Sequence, residues 1–268
     1  MAETDFVKFD RNKPLLVDGN GGGADILLYQ SVVTRMIPGA NGVLTKGNRV
    51  MMANATIHDL FREAYSDTIR WPYNRVLSTL SDSLNEKIFW PAYAFKSDYA
   101  SIMLTKNWRE NNSYCYSLTL PHKLSRAEGL QIAQADLNRF FGEYMGINVA
   151  LENRLVKCLV FTRLAGKDIS IPEKGVSEFK GDDNNTYFRF DNRSFRNFVS
   201  LFAERNKYSP LPIVNETGYK GNISMEFKGP LTDLSMVREE LQRNGFDLIE
   251  KDVNINMLVF YSVNNKNL

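Results

Sequence analysis

Cysteine and histidine are scarce in this 268-residue chain, with two of each (Cys115, Cys158, His58 and His122). Two thiols exclude a disulfide scaffold and a four-thiolate zinc site, and no Cys-x-x-Cys is present to act as a thioredoxin-type centre. Two histidines leave no multi-histidine metal centre, and no metal ligand set is expected. An excess of charge of either sign is lacking too: 33 Lys and Arg stand against 31 Asp and Glu, a net +2. So small a net charge does not point to nucleic acid as a partner. Apolar runs are short; none approaches the roughly 18 residues of a membrane-spanning helix, and mean hydropathy is −0.33. Residues 1–17 have neither the basic start nor the apolar core of a secretory signal, so the chain reads either as cytosolic or as a piece lacking its leader. Gly-Lys-Ser/Thr does not follow the Gly-rich stretch Gly19–Asp25, which therefore reads as a surface loop. His-Glu-x-x-His and Gly-x-Ser-x-Gly are missing as well.

What is present is a duplication. Val50–Thr56 precedes Ile57, Leu60, Phe61, Ala64 and Tyr65, apolar positions on one face of a helix. Phe188–Ser194 precedes Phe195, Phe198, Val199 and Phe202 in the same way, and both helices follow an Asn-x-Ser/Thr whose hydroxyl suits an N-cap. The order continues in parallel. Strand Tyr114–Leu120 matches Ile223–Phe227. A helix opened by Ser125-Arg-Ala-Glu128 matches one opened by Asp233 and closed at Gly245, and Val156–Phe161 matches Met257–Tyr261. Each copy gains a further strand, Arg75–Leu80 or Leu211–Asn215. The expected class is α+β, as two repeated β-α-β-β-α-β-β units, each a mixed sheet with helices on one face. The expected division is an N-terminal extension (1–48), a first repeat with an aromatic insertion (49–164), a linker (165–185), a second repeat (186–263) and a tail (264–268). Strand order stays open.

Pro212–Gly221, Ile223–Phe227 and Leu241–Leu248, with Asn54–Leu60, Tyr114–Leu118, Asp136–Gly142 and Val156–Val160, resemble a bacterial envelope domain of unknown function. That domain is often found C-terminal to TlpA-like thiol-disulfide oxidoreductases. The resemblance spans about residues 27–263. It implies a periplasmic or cell-envelope setting and a redoxin domain upstream, and it supplies no catalytic residues and no cofactor. The leading expectation is thus a non-catalytic accessory module that binds protein, either an envelope component or the attached redoxin. The alternative is an enzyme or small-ligand receptor with a pocket between the repeats.

Chemistry-bearing residues are few. His58 beside Asp59 reads as a solvated surface histidine, and His122 after Pro121 as a loop histidine. Ser177-Glu-Phe-Lys180 has the Ser-x-x-Lys spacing but lies in the linker. Asp182–Asn185 lacks the alternating ligands of a calcium loop. Thr217, Gly218 and Gly221 suit a tight connection needing positive φ, with a ligand loop as the lesser reading. Trp71, Tyr73, Trp90 and Trp108, with Tyr93, Phe95 and Tyr99, either pack the insertion onto the sheet or form a recognition surface. Cys115 and Cys158 both fall opposite the apolar face of their strands. A disulfide between them requires those strands to be neighbours, and the other reading is two buried thiols.

Overall fold

The computed structural model describes residues 10–12, 20, 22–23, 26–66, 71–169 and 175–263. Most of the Gly19–Asp25 stretch, residues 170–174 of the linker and the tail 264–268 lie outside the described residues. In chain order the elements begin β1 (Gln30–Arg35), β2 (Val43–Lys46), β3 (Arg49–Thr56), α1 (Ile57–Ala64), β4 (Val76–Ser78), α2 (Asp82–Ile88) and α3 (Tyr99–Asn112). Next come β5 (Ser113–Thr119), α4 (Arg126–Met145) and β6 (Ile147–Arg163). The rest are β7 (Glu178–Gly181), β8 (Phe188–Ser194), α5 (Phe195–Arg205), β9 (Ile213–Asn215), β10 (Asn222–Phe227), α6 (Leu234–Arg243) and β11 (Phe246–Ser262). The class is mixed α+β, with six helices and three sheets among the described residues. The sheets run β1-β5-β3-β2, β10-β8-β7 and β4-β11-β6-β9. The first two are antiparallel, and in the third β9 runs parallel to β6 from Leu159–Ile213 to Phe161–Asn215.

The chain divides into two compact units: residues 1–71, 78–149 and 260–268, and residues 72–77 and 150–259. In the first, Val50 and Met52 of β3 and Tyr116 and Leu118 of β5 point into the core, as period-two alternation requires. The β3–β5 register breaks between Met52 and Ala55, where Asn54 takes a left-handed φ of 49°. Thr56 then caps α1 by accepting the Asp59 amide at 3.0 Å. Ser125 and Glu128 cap α4 reciprocally, and α4 ends at Gly146, φ 70°. Phe61 of α1 packs edge-on to Phe260 at 5.6 Å and against Phe141 of α4 at 6.1 Å.

A one-sided stripe was expected of α1, but all eight of its residues are buried. The polar face is covered from three sides: Phe89 and Trp90 of the insertion meet His58 and Asp59, the Trp71 carbonyl takes Arg62, and Arg126 of α4 pairs with Glu63. His58 is therefore not a surface histidine: it is 4% exposed, its ring 4.8 Å from Phe89 and 6.1 Å from Phe260.

The second unit is built on phenylalanine. Phe198 stacks on Phe227 at 5.0 Å and Phe195 on Phe246 at 4.3 Å, with Phe161 edge-on to Phe195, Phe198 and Phe202. Each such ring is worth about 1.5–3 kcal/mol in burial, and each pair about 0.5–1.5 kcal/mol more. Asn192 sits at φ 47° beside a register break in β10, Ser194 caps α5, and Asp233 caps α6. Of the Ser177–Lys180 segment, Glu178 to Lys180 lie in edge strand β7, not in the helical turn the spacing would need for chemistry.

Candidate functional site

The Trp90 and Trp108 rings lie 5.3 Å apart, and their polar edges are engaged inside the first unit. Trp90 Nε1 donates to Asp59 Oδ2 at 2.9 Å and Trp108 Nε1 to the Glu86 carbonyl at 2.8 Å. Asp59 also accepts from Thr56 Oγ1 and from Arg62 Nη1, which lies 3.1 Å away. Trp71 contributes backbone: its carbonyl takes Arg62 Nε at 2.7 Å and its amide donates to Ser66 Oγ. These tryptophans hold the insertion and the segment after α1 around a buried ion pair, an arrangement in which unmade bonds would be costly.

Thr217 and Gly218 form a self-satisfied turn. Asn215 Oδ1 accepts the Thr217 amide and hydroxyl, Thr217 Oγ1 accepts the Tyr219 amide, and Gly218 holds φ 62°. Asp182 likewise caps its own turn, accepting the amides of Thr186 and Tyr187. The two cysteines are buried free thiols on strands of different sheets, so the Cys115–Cys158 bond is not formed. Cys115 Sγ accepts the Asn54 amide and donates to Asn54 Oδ1, which seats it at the β3 bulge. Cys158 bonds weakly to the Val156 carbonyl, and burial pushes its thiol pKa up. No group of three or more His, Cys, Asp and Glu among the described residues is placed to hold a metal.

Tyr73 belongs to the second unit and lines one of its recesses. Its ring lies 5.3 Å from that of Tyr208, which is 58% exposed. Together with Leu77, Val156, Pro210, Pro212, Met257, Lys157 and Lys207 they line a groove of about 560 Å³. The local sequence explains its walls. α5 stops at Asn206, whose amide nitrogen returns to the Phe202 carbonyl and reaches the Leu231 carbonyl. Ser209-Pro-Leu-Pro212 then cannot continue a helix; residues 209–211 bend, with the Leu211 amide donating to Ser209 Oγ, before β9 begins at Ile213. On the other wall Pro72 leads into a single 3-10 turn, Tyr73–Arg75, before edge strand β4.

Two side chains tie the walls together. Asn74 Nδ2 donates to the Leu211 carbonyl at 3.1 Å and Arg75 Nη2 to the Ile213 carbonyl at 2.9 Å. Burial draws the Arg75 guanidinium below the usual arginine range, while the Cys158 thiol pushes the other way. The groove is thus pre-formed, with aromatic and proline surfaces over an aliphatic floor. Sequence reading singled out Tyr73 alone of this set. The Tyr208-Ser-Pro-Leu-Pro212 run was the missed signal, since paired prolines beside an aromatic mark a stiff, non-helical wall.

A larger recess along α6 and β11, about 660 Å³, is lined by Arg238, Glu239, Gln242 and Glu250. Its arginine is engaged by Asp247, at 2.8 and 3.2 Å. No family model, no curated protein and no solved structure matches this chain.

Proposed function

We propose that this chain is a protein-binding accessory module of the bacterial cell envelope, and that the Tyr73–Tyr208 groove takes an extended, proline-bearing segment of its partner. The groove carries the reading. Tyrosine faces flanked by Pro210 and Pro212 are the surface on which a polyproline II segment docks, because such a segment is already extended and loses little entropy on binding. The walls are pinned by Asn74 and Arg75, so little reorganisation is needed on the protein side. The envelope setting rests on the resemblance of segments such as Pro212–Gly221 to the redoxin-associated domain. The direct test is fluorescence anisotropy with a labelled proline–alanine decapeptide. Saturable binding that is lost in Tyr208→Ala is expected; equal titrations for the two proteins would overturn the reading.

The same proposal treats β3–β6 and β8–β11 as two copies of one unit. Support comes from paired details that a chance order of elements would not share. Asn54 and Asn192 are both left-handed residues at a register break, two positions before a capping Thr56 or Ser194. Their amides donate to corresponding side chains on the next strand, Cys115 Sγ at 3.2 Å and Ser224 Oγ at 3.0 Å. Both copies close on a 17-residue strand that follows a left-handed glycine, Gly146 or Gly245.

A further inference from the structure

We propose that the recess between β1 and α4, within the first unit, binds a saccharide, with Tyr144 as the platform for a sugar ring. This site shares no residue with the Tyr73–Tyr208 groove and does not depend on that reading. The recess measures about 440 Å³. Asp136, Arg139, Phe140, Glu143 and Tyr144 follow the i, i+3, i+4, i+7, i+8 spacing that puts them on one face of α4. Alternate residues of β1, Ser31 and Val33, complete the lining. Phe140 packs edge-on to buried Phe141 at 5.0 Å, and Tyr144 stacks on Phe140 at 5.3 Å, the rings 22° from parallel. Tyr144 is therefore held in place although it is 52% exposed. Beside the recess Tyr29, 50% exposed, is fixed through its hydroxyl, which donates to Asp136. Rings already immobilised in water spare a ligand the entropy cost of ordering them.

The polar groups narrow the ligand class. The buried Asp136 carboxylate is taken up by Tyr116, Tyr29 and Arg139. Arg139 spends its charge on that carboxylate through Nη2, yet its side chain is 72% exposed and its remaining N–H groups point to no other acceptor among the described residues. Glu143, one turn further on, is exposed and forms no ion pair among the described residues. A phosphate or carboxylate ligand would find one arginine already neutralised and a glutamate repelling it. A purely apolar ligand would strip water from Arg139 and Glu143 and return nothing. A neutral sugar meets every group: the C–H face of its ring lies on Tyr144, and its hydroxyls accept from Arg139 and donate to Glu143.

The experiment is calorimetric titration with cellotetraose, whose equatorial hydroxyls leave flat C–H faces, at about 50 mM and 500 mM salt. Saturable binding is expected, nearly independent of salt because the ligand is uncharged. Tyr144→Ala should weaken it about tenfold, and Glu143→Gln about fivefold, while Tyr208→Ala leaves it unchanged. Both substituted side chains at the site are exposed, and circular dichroism of each variant checks that the fold is kept. Absence of saturable heat with both cellotetraose and chitotetraose overturns the proposal, as do equal titrations of the wild type and Tyr144→Ala. Tetramethylammonium is titrated in parallel. Binding of that cation in a Glu143-dependent manner, with no response to either oligosaccharide, would overturn the saccharide assignment in favour of a cation site.

Discussion

Single side chains show where this protein stakes stability on polar groups out of water. Asp136, 7% exposed, accepts from Tyr116 Oη at 2.9 Å, Tyr29 Oη at 3.3 Å and Arg139 Nη2 at 3.1 Å. Tyr116→Phe removes one of those donors while keeping the ring, and should cost about 1–2 kcal/mol in urea unfolding. Asp247 offers a pH test. The Arg238 guanidinium beside it holds its carboxyl below the usual aspartate range, helped by the Leu248 amide and Gln242 and opposed by burial. A depressed carboxylate stabilises the fold at pH values above its unfolded pKa, about 3.9, and the contribution fades as pH falls toward the lower folded value. Asp247→Asn should therefore flatten the acid limb of stability below about pH 4, read as the urea midpoint between pH 6 and pH 3. Sequence handled such groups unevenly. The Thr56 and Ser125 caps were legible because their partners lie three residues away. The burial of His58 was not, because Phe89 reaches it from a segment about thirty residues on, whose path no local pattern dictates.

Elements fail in different ways when one residue is changed. Gly245→Ala and Gly218→Ala both place a side chain in the left-handed region, which costs about 1–2 kcal/mol. At Gly218 nothing lies within 4 Å of the added carbon, whereas at Gly245 it would meet the Asp168 carbonyl oxygen at 2.9 Å. Thermal melts should thus rank Gly245→Ala well below Gly218→Ala. Phe198 is fully buried between Phe190, Phe161 and Phe227. Phe198→Ala is expected to cost about 3–5 kcal/mol, and Phe198→Asp to unfold the second unit, with near-ultraviolet circular dichroism as the readout. The helices that sequence placed correctly, α1, α4, α5 and α6, carry both a cap and an apolar repeat. Those it missed carry neither a stripe nor a long core face. Of the residues of α3, Ser101 alone is buried, and β7 is exposed along its whole length, so no period separates them from loop.

At the scale of the whole molecule, the α+β class was legible because strand and helix patterns alternate along the chain. The sheet partners were not, because β6 and β9 pair over some fifty residues and β4 and β11 over about 180. The same gap left the cysteines open between a disulfide and two buried thiols; their strands lie in different sheets, and both thiols are free and buried. Thiol titration should accordingly find two reactive thiols in denatured, unreduced protein and almost none in the folded state, and reductant should leave the melting temperature unchanged. The division of the chain has one more consequence, and it concerns synthesis. The first unit takes residues 1–71 and 78–149 but also 260–268. Phe260, which packs on Phe61 and Phe89, is translated only after every residue of the second unit. A ribosome that has released residue 149 has therefore exposed a first unit with an unfilled core. That core stays open while about 110 further residues emerge, a window in which a holding chaperone has apolar surface to bind.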